Sequence, residues 1–418
     1  MNNIAQSLLA KEAIRKKLSG RELSYKEIFA IMDEIAKERL GDILTTYFTA
    51  AGFHDGFSED ELYHMTKAMV ETGTKLSFPG IVADKHSIGG IAGTRTTMIV
   101  VPIVTACGFK MPKTSSRAIT SPAGTADVME VLSSVNFTPE QVENIVNKVG
   151  GCIIWGGQLG IAPADDIIIR VEEPLSFESF DKIIVSIMAK KVAAGSNHLV
   201  IDIPLGQTMK VRHQKDALIL KSKFEGIAKR FGIKILVDIN KTGQPEGSGV
   251  GPILEAIDVL KVLEQTPDRP IALEDRAIRL AGKLLELCYH TQGVKIDGEV
   301  EARGKLADKS ALQKMKDIIK AQGGDPNVSS KTLKLATFQK NISSSKSGII
   351  SHYDNKNINA LAKILGAPND KKAGIRIHKR ALEKVNAKDD ILTLYSSSNK
   401  NIEEAIETLK AIKLYKIE

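Results

Sequence analysis

The sequence is poor in residues that crosslink chains or ligate metals. Its 418 residues include three cysteines, Cys107, Cys152 and Cys288. They are widely spaced, odd in number and outside any CxxC pattern, which excludes a disulfide framework and a cysteine-rich zinc site and fits a reducing cytoplasm. The eight histidines are scattered without metal-ligand spacing, so no metal and no cofactor are expected. Long apolar runs are missing as well. TMIVVPIV at 97–104 and IKILVDI at 233–239 fall far short of the roughly 18–20 residues a membrane span needs, so a membrane protein is excluded. The N-terminus reads as an amphipathic helix without the apolar core of a signal peptide, and export is not expected. Aromatics are 5% of the chain, and the net charge of +8 is spread through it. A nucleic-acid surface would gather basic residues with interleaved aromatics, so no nucleic-acid partner is expected; the mild excess of positive charge favours small anionic ligands only weakly.

What is present is alternation. Up to about residue 75 the pattern is of short helices: Ile4, Leu8, Leu9 and Leu18 recur at near-helical spacing, and Ser24 with Glu27 and Ser58 with Glu61 form capping-box pairs. From about residue 80, β-rich runs alternate with glycine-rich turns and helices (GIVADKHSIGG, FKMPKTSSRAI, GCIIWGG), the pattern of α/β units. The stretch 163–194 is helical again, and strand signals resume at HLVIDIPLG and IKILVDI. Near 340 a serine-rich, linker-like NISSSKSG precedes strand-like GIISHY, AGIRIH and ILTLYSS and a last helix. The expected fold is α/β with a discontinuous helical lobe (1–75 and 161–195), a mixed-sheet α/β domain (76–160 and 196–340) and a small C-terminal α+β module (341–418).

Three constellations carry chemistry. In DKHSIGGIAGTRTT, 84–97, a strand ends in glycines that let the backbone approach a ligand and a helix then begins, a turn suited to an anion. Lys85 adds charge, and Ser87, Thr96 and Thr97 add hydroxyls. The GxxxxGK[ST] and GxGxxG spacings are absent, and an ordinary capped βα turn is the other reading. KTSSRAITSPAGTADVME, 113–130, repeats the design, with Gly124 and Thr125 opening a helix and Arg117 either a ligand contact or an ion-pair partner. Two such turns side by side would enclose one anion. In the third, Ser186 and Lys190 stand at i, i+4 on one helical face, either lining a cleft or facing solvent, with Arg170 upstream. No GxSxG elbow appears.

In DKHSIGG (84–90), SSRAITSPAGTAD (115–127), WGGQLGIAPADDIIIRVE (155–172), SIMAKK (186–191) and APNDKKAGI (367–375) the chain resembles the thymidine and pyrimidine-nucleoside phosphorylase family, in particular its branch of AMP phosphorylases and type-2 thymidine phosphorylases. The resemblance spans essentially the whole chain. It implies a phosphorylase in which inorganic phosphate attacks the anomeric carbon of a nucleoside 5′-monophosphate such as AMP and releases the base. The alternatives are a thymidine or pyrimidine nucleoside phosphorylase, a Mg²⁺-dependent phosphoribosyltransferase of similar architecture, and a non-enzymatic nucleotide-binding protein. The resemblance further implies phosphate contacts at Lys85, Ser87, Thr97, Ser115 and Thr125, and base contacts at His86, Arg170, Ser186 and Lys190. The branch pattern adds Gly90 with the neighbouring Gly89, the run Ser116, Arg117, Ala118, Ile119, Thr120 and Ser121, and Lys210. Where the branch has an aspartate proton donor this chain has Glu178, a carboxylic acid one methylene longer. The family implies a homodimer through the helical lobe. Members of the branch usually carry a further N-terminal domain, whereas this chain begins at the lobe.

Overall fold

The computed structural model describes residues 3–54, 56–89, 91–118, 121–172 and 179–418. The chain opens with α1 (Asn3–Leu18), α2 (Tyr25–Ala36), α3 (Asp42–His54) and α4 (Glu59–Glu71). Ser24 and Ser58 start α2 and α4 through complete capping boxes with Glu27 and Glu61, as the S-x-x-E spacing predicts. α1 turns a different face inward from the one its large side chains suggest. Ile4, Leu8 and Leu18 are exposed, while Ala10, Ala13 and Ile14 are buried. The inward stripe is made of smaller residues at the same three-to-four spacing and ends in Lys17, paired with buried Glu61 at 2.7 Å.

The chain then crosses to β1 (Ala83–Ser87), α5 (Thr97–Ala106), β2 (Met111–Ser115), α6 (Thr125–Met129), α7 (Pro139–Val149) and β3 (Gly151–Trp155). It returns to the first helices as α8 (Pro163–Glu172) and α9 (Phe180–Ala193); α8 packs on α2 and α3, and α9 on α4. After this second visit come β4 (His198–Leu205), α10 (Gln214–Arg230), β5 (Lys234–Lys241), β6 (Gly249–Val250), α11 (Pro252–Glu264), α12 (Ile271–Thr291), α13 (Gly298–Ala307) and α14 (Ser310–Ala321). The last stretch holds β7 (Phe338–Ser343), β8 (Gly348–Tyr353), α15 (Asn355–Ile364), β9 (Gly374–Ile377), β10 (Lys384–Val385), β11 (Asp390–Ser396), α16 (Asn399–Ala411) and β12 (Tyr415–Ile417). The serine-rich patch is therefore no linker: Asn341–Ser343 complete the edge strand β7, and the serines after them form the turn into β8.

The strands β1-β4-β5 form one parallel sheet and β2-β3 another, with a single parallel bridge, Val82 to Lys110, joining β1 to β2. Beyond that bridge the two sheets part. β1 thus has its next strand in sequence, β2, on one side and β4 on the other, and in a parallel α/β array the crevice beyond such a strand's C-terminal end is where ligands bind. Side chains alternate along β1. Asp84 and His86 face the helical lobe, and Lys85 and Ser87 face α5 and α12. One core fills the space between lobe and sheet, from Ile31 and Met65 to Ile201 and Phe224. A second lies under the opposite face, with Val101, Ile153, Leu260 and Leu284. The C-terminal strands are antiparallel and hold a third core, with Ile358, Leu361 and Leu394. β6 belongs to this C-terminal sheet, in the order β6-β9-β11-β7, so the segment before α11 is stitched to the last part of the chain. Among the described residues no helix is long and apolar enough to cross a membrane.

Candidate active site

Two βα turns meet at the mouth of the crevice. The first follows β1, where Gly89 holds φ at +90°, a conformation that favours glycine. The second follows β2, where a Cβ on Gly124 would collide with the Ser116 carbonyl. Arg95 of the first turn bridges them: its Nη1 donates to Thr125 Oγ1 (3.3 Å), its Nη2 to the Ala123 carbonyl (2.9 Å), and its Nε pairs with buried Glu255 at 2.6 Å. The structure therefore brings together the two turns that the sequence offered separately.

Lys85 lies behind them as part of strand β1 and is 1% exposed. Its Nζ donates to Thr96 Oγ1 (2.8 Å) and more weakly to Thr97 Oγ1 (3.4 Å), and stands 4.0 Å from Asp202. Burial draws its pKa down to about 8, against the pull of Asp202. Ser87 Oγ donates to Asp202 Oδ2 at 2.7 Å. Asp202 is a hub, also accepting from Asn240 (2.8 Å) and from Arg276 Nη2 on both oxygens (2.7 and 2.9 Å); burial alone would raise its pKa, but Arg276 and Lys85 hold it below the ordinary value. Ser115 Oγ, at the end of β2, is buried without a hydrogen-bond partner among the described residues. An orphaned hydroxyl here is the polar group an anion in the crevice would satisfy.

The second turn is braced by Asp127. Its Oδ2 accepts from Ala118 N (2.7 Å) and Gly124 N (2.9 Å), so those amides serve a carboxylate of the chain and not a ligand. Arg117 is engaged too: it forks onto Glu130 at 2.7 and 2.6 Å and lies over the Trp155 ring, 4.9 Å from its centroid, which makes its guanidinium an ion-pair brace. Ser116 takes the Ala126 amide on its carbonyl, and Ser121 Oγ donates to the Ala123 carbonyl.

Across the crevice stands α9. Ser186 Oγ donates to Asp165 Oδ2 at 2.8 Å, and Lys190 Nζ meets the same oxygen at 2.6 Å. Burial works against the Lys190 ammonium, but Asp165 and Asp166 outweigh it and hold its pKa above the usual lysine value. Lys191, one step round the helix, points into the sheet, where Asp84 Oδ2 lies 2.6 Å away; Lys113 Nζ reaches the other oxygen of Asp84 at 3.3 Å. Two lysine amines thus share one carboxylate with no exposed surface, and burial, with Lys113 beside it, draws the Lys191 pKa down to about 7. His86 lies above them, and burial together with Lys191, Lys113, Lys85 and Lys190 keeps its pKa well below the ordinary imidazole value. It is a neutral ring at pH 7.

Arg170 is not part of this arrangement. It sits on the outer face of α8, its side chain 57% exposed, beside Asp42 (3.3 Å) and Glu38 (3.7 Å). Five residues beyond Asp165 place it about 140° round the helix from the side that meets α9. Lys210 is exposed in the turn 206–211 that follows β4. Gly90, Ile119, Thr120 and Glu178 lie outside the described residues. Asp165, Asp202, Arg276, Arg95 and the Asp84–Lys113–Lys191 cluster were not singled out from the sequence. The one local signal for Asp202 was an acidic residue inside the apolar run HLVIDIPL.

Family models match three stretches: the Glycosyl transferase family a/b domain over residues 80–216, the Glycosyl transferase family helical bundle domain over 11–73, and the Pyrimidine nucleoside phosphorylase C-terminal domain over 349–417. A Legionella pneumophila protein named "Putative thymidine phosphorylase" is 40% identical over 95% of this chain and 76% of its own length. The chain belongs to the thymidine and pyrimidine-nucleoside phosphorylase family. Within this family it is similar to proteins named AMP phosphorylase from Natronomonas pharaonis, 40% identical over 95% of this chain and 79% of the relative, and from Thermofilum pendens, 42% identical over 95% and 76%. These likenesses place it in the branch of AMP phosphorylases and type-2 thymidine phosphorylases. The fold also matches the crystal structure of anthranilate phosphoribosyltransferase from Thermus thermophilus, with TM-score 0.62 at 18% identity, covering 74% of this chain and 99% of that one. The protein is a glycosyl-transferring enzyme.

Proposed function

We propose that the protein cleaves the N-glycosidic bond of a nucleoside 5′-monophosphate such as AMP with inorganic phosphate, giving ribose 1,5-bisphosphate and free base. The observation that carries this reading is the pair of bridged turns, with buried Lys85 and a Ser115 hydroxyl that has no partner among the described residues, opposite Ser186 and Lys190 on the helical lobe. Relatives named AMP phosphorylase support the nucleotide substrate, and the relative named for thymidine supports nucleoside phosphorolysis as the second reading.

The chemistry follows from the two sides of the crevice. Phosphate held at the turns is both the nucleophile at C1′ and a fixed negative charge beside a sugar that turns oxocarbenium-like as the bond breaks. Ser87, Thr97, Ser115 and Thr125 hydroxyls and the Lys85 ammonium orient it. Negative charge grows on the departing base, where Ser186, Lys190 and the neutral His86 donate hydrogen bonds. Glu178 is assigned the proton transfer to the base by the family resemblance. The nucleophile's site and the leaving group's site lie on opposite sides of the crevice, so closure would assemble them.

Two coarser features belong to this proposal. Ile4 and Leu8 of α1 and Ile43 and Tyr47 of α3, helices that pack on one another, are exposed and suit a homodimer through the lobe. The three unbridged cysteines suit the cytoplasm. The test is base release from a panel of nucleosides and 5′-monophosphates, with phosphate and with or without Mg²⁺. Release from AMP that requires phosphate and not Mg²⁺ supports the proposal. Release from thymidine or uridine alone favours the second reading, and a strict need for Mg²⁺ and a diphosphate donor makes the protein a phosphoribosyltransferase.

A further inference from the structure

None of the residues that the resemblance implies in substrate binding lies beyond Lys210, yet the C-terminal module reaches the crevice turns from behind. Ala92, in the first turn, is 1% exposed and packs in the module's own hydrophobic core with Ile358, Leu361 and Ile375. Asn355, the first residue of α15, is fully buried. Its Oδ1 accepts from the Ala92 amide at 3.3 Å and its Nδ2 donates to Thr208 Oγ1 at 3.1 Å. The Ala92 N–H can only donate, which settles the orientation of the Asn355 amide. Thr208 belongs to the turn 206–211, closed by the Gly206 amide on the Val211 carbonyl, which also carries Lys210. One side chain of the module thus ties two turns of the crevice together.

Two other contacts work in the same direction. Lys371 Nζ pairs with Asp127 (3.1 Å) and Glu130 (2.9 Å), the carboxylates that brace the second turn. Arg380 donates to the carbonyls of Pro245 (2.5 Å) and Glu246 (3.0 Å). The Glu246 side chain pairs with Arg276, which in turn holds Asp202. Of the three, Asn355 is the one that bonds to a described residue of the first turn, Ala92.

We infer that Asn355 is a positioning residue of the phosphate site, through which the C-terminal module fixes the Ala92–Gly93 part of the first turn relative to the turn 206–211. The inference rests on the first turn being a phosphate turn. Without the amide, nothing polar meets the buried Ala92 N–H from the module side, and the two turns lose their shared strut.

Calorimetric titration of inorganic phosphate into the full chain tests this, with thermal unfolding and KM and kcat measured alongside. Asn355→Ala is expected to weaken phosphate binding about tenfold, as for one lost buried hydrogen bond, and to raise the phosphate KM with a smaller change in kcat. Asn357→Ala is the control. It removes a bond from the same helix to the Lys413 carbonyl, within the module, and is expected to lower the melting temperature while keeping wild-type phosphate affinity. Thr208→Val cuts the strut from its other end without disturbing the module's core, which keeps the test open if Asn355→Ala does not fold; it should weaken phosphate by a similar factor, and the double variant by less than the product of the two. Wild-type affinity in Thr208→Val or Asn355→Ala, or equal weakening by Asn357→Ala, overturns the inference and leaves the phosphate assignment intact. A wild-type protein that binds no phosphate overturns the phosphate assignment, and the inference with it.

Discussion

Lys85 shows how much of the site's electrostatics lies below its surface. It does not belong to the turn itself. It is a strand residue whose ammonium is buried against Thr96 and 4.0 Å from Asp202, and its charge is sustained by a carboxylate that Arg276 already neutralises on the far side. Lys85→Met keeps the length and apolar stem, so packing is retained, and it is expected to cost about 3 kcal/mol of transition-state stabilisation, read as a fall in kcat/KM for phosphate with the fold intact by circular dichroism. The wild type should have a pH dependence of its own. Burial lowers the Lys85 pKa to about 8; the ammonium is charged below that value and neutral above it. Attraction for phosphate is therefore present below pH 8 and lost as pH rises through it, so kcat/KM should fall on the alkaline side, and the Met variant should lack that limb. An alkaline limb retained in full by Lys85→Met would assign it to another group. The residue type and its partner hydroxyls were legible in the sequence. Asp202 and Arg276 were not, because they lie 74 positions apart and only the packing of α12 over β4 joins them.

At the scale of elements, α8 and α9 act as one unit. Ser186 and Lys190, spaced to share a helical face, converge on a single oxygen of Asp165, so removing one changes the surroundings of the other. Ser186→Ala and Lys190→Ala are each expected to lower kcat/KM by about 1.5–3 kcal/mol, the range for hydrogen bonds to charged groups, and the double variant by less than the sum. Strict additivity across the cycle would mean that the two do not serve one ligand. Arg170→Ala separates the family pattern from the geometry. With its side chain paired to Asp42 and Glu38 on the outer face of α8, the substitution should leave the KM for the nucleotide within about twofold, as for exposed ion pairs of small worth. A large rise in KM would place Arg170 in the crevice instead. The i, i+4 spacing was enough to put Ser186 and Lys190 on one face of α9, because period and side are fixed by the helix, but Asp165, the partner they share, lies 21 positions away from Ser186. The inward face of α1 could not be read the same way, since its buried stripe of Ala10, Ala13 and Ile14 is less apolar by size than the exposed Ile4 and Leu8.

For the whole molecule, the alternation of helical and β-rich stretches was enough to show that the chain leaves the helical lobe and comes back, because hydrophobic period is a local property. What locality hides is the reach of the last eighty residues. β6 is a two-residue strand too short to signal itself, and it draws the C-terminal sheet under the site. The central claim is that bridged turns on the sheet and the Asp165-anchored face of α9 together make a phosphorylase acting on a nucleotide. The most direct measurement is a time course of AMP with inorganic phosphate and the full chain, following adenine and the sugar product together by mass. The account predicts adenine and ribose 1,5-bisphosphate in equal amounts, formed only when phosphate is present. Adenine accompanied by ribose 5-phosphate, from water taking the place of phosphate, or no adenine at phosphate concentrations that protect the protein against unfolding, would contradict it.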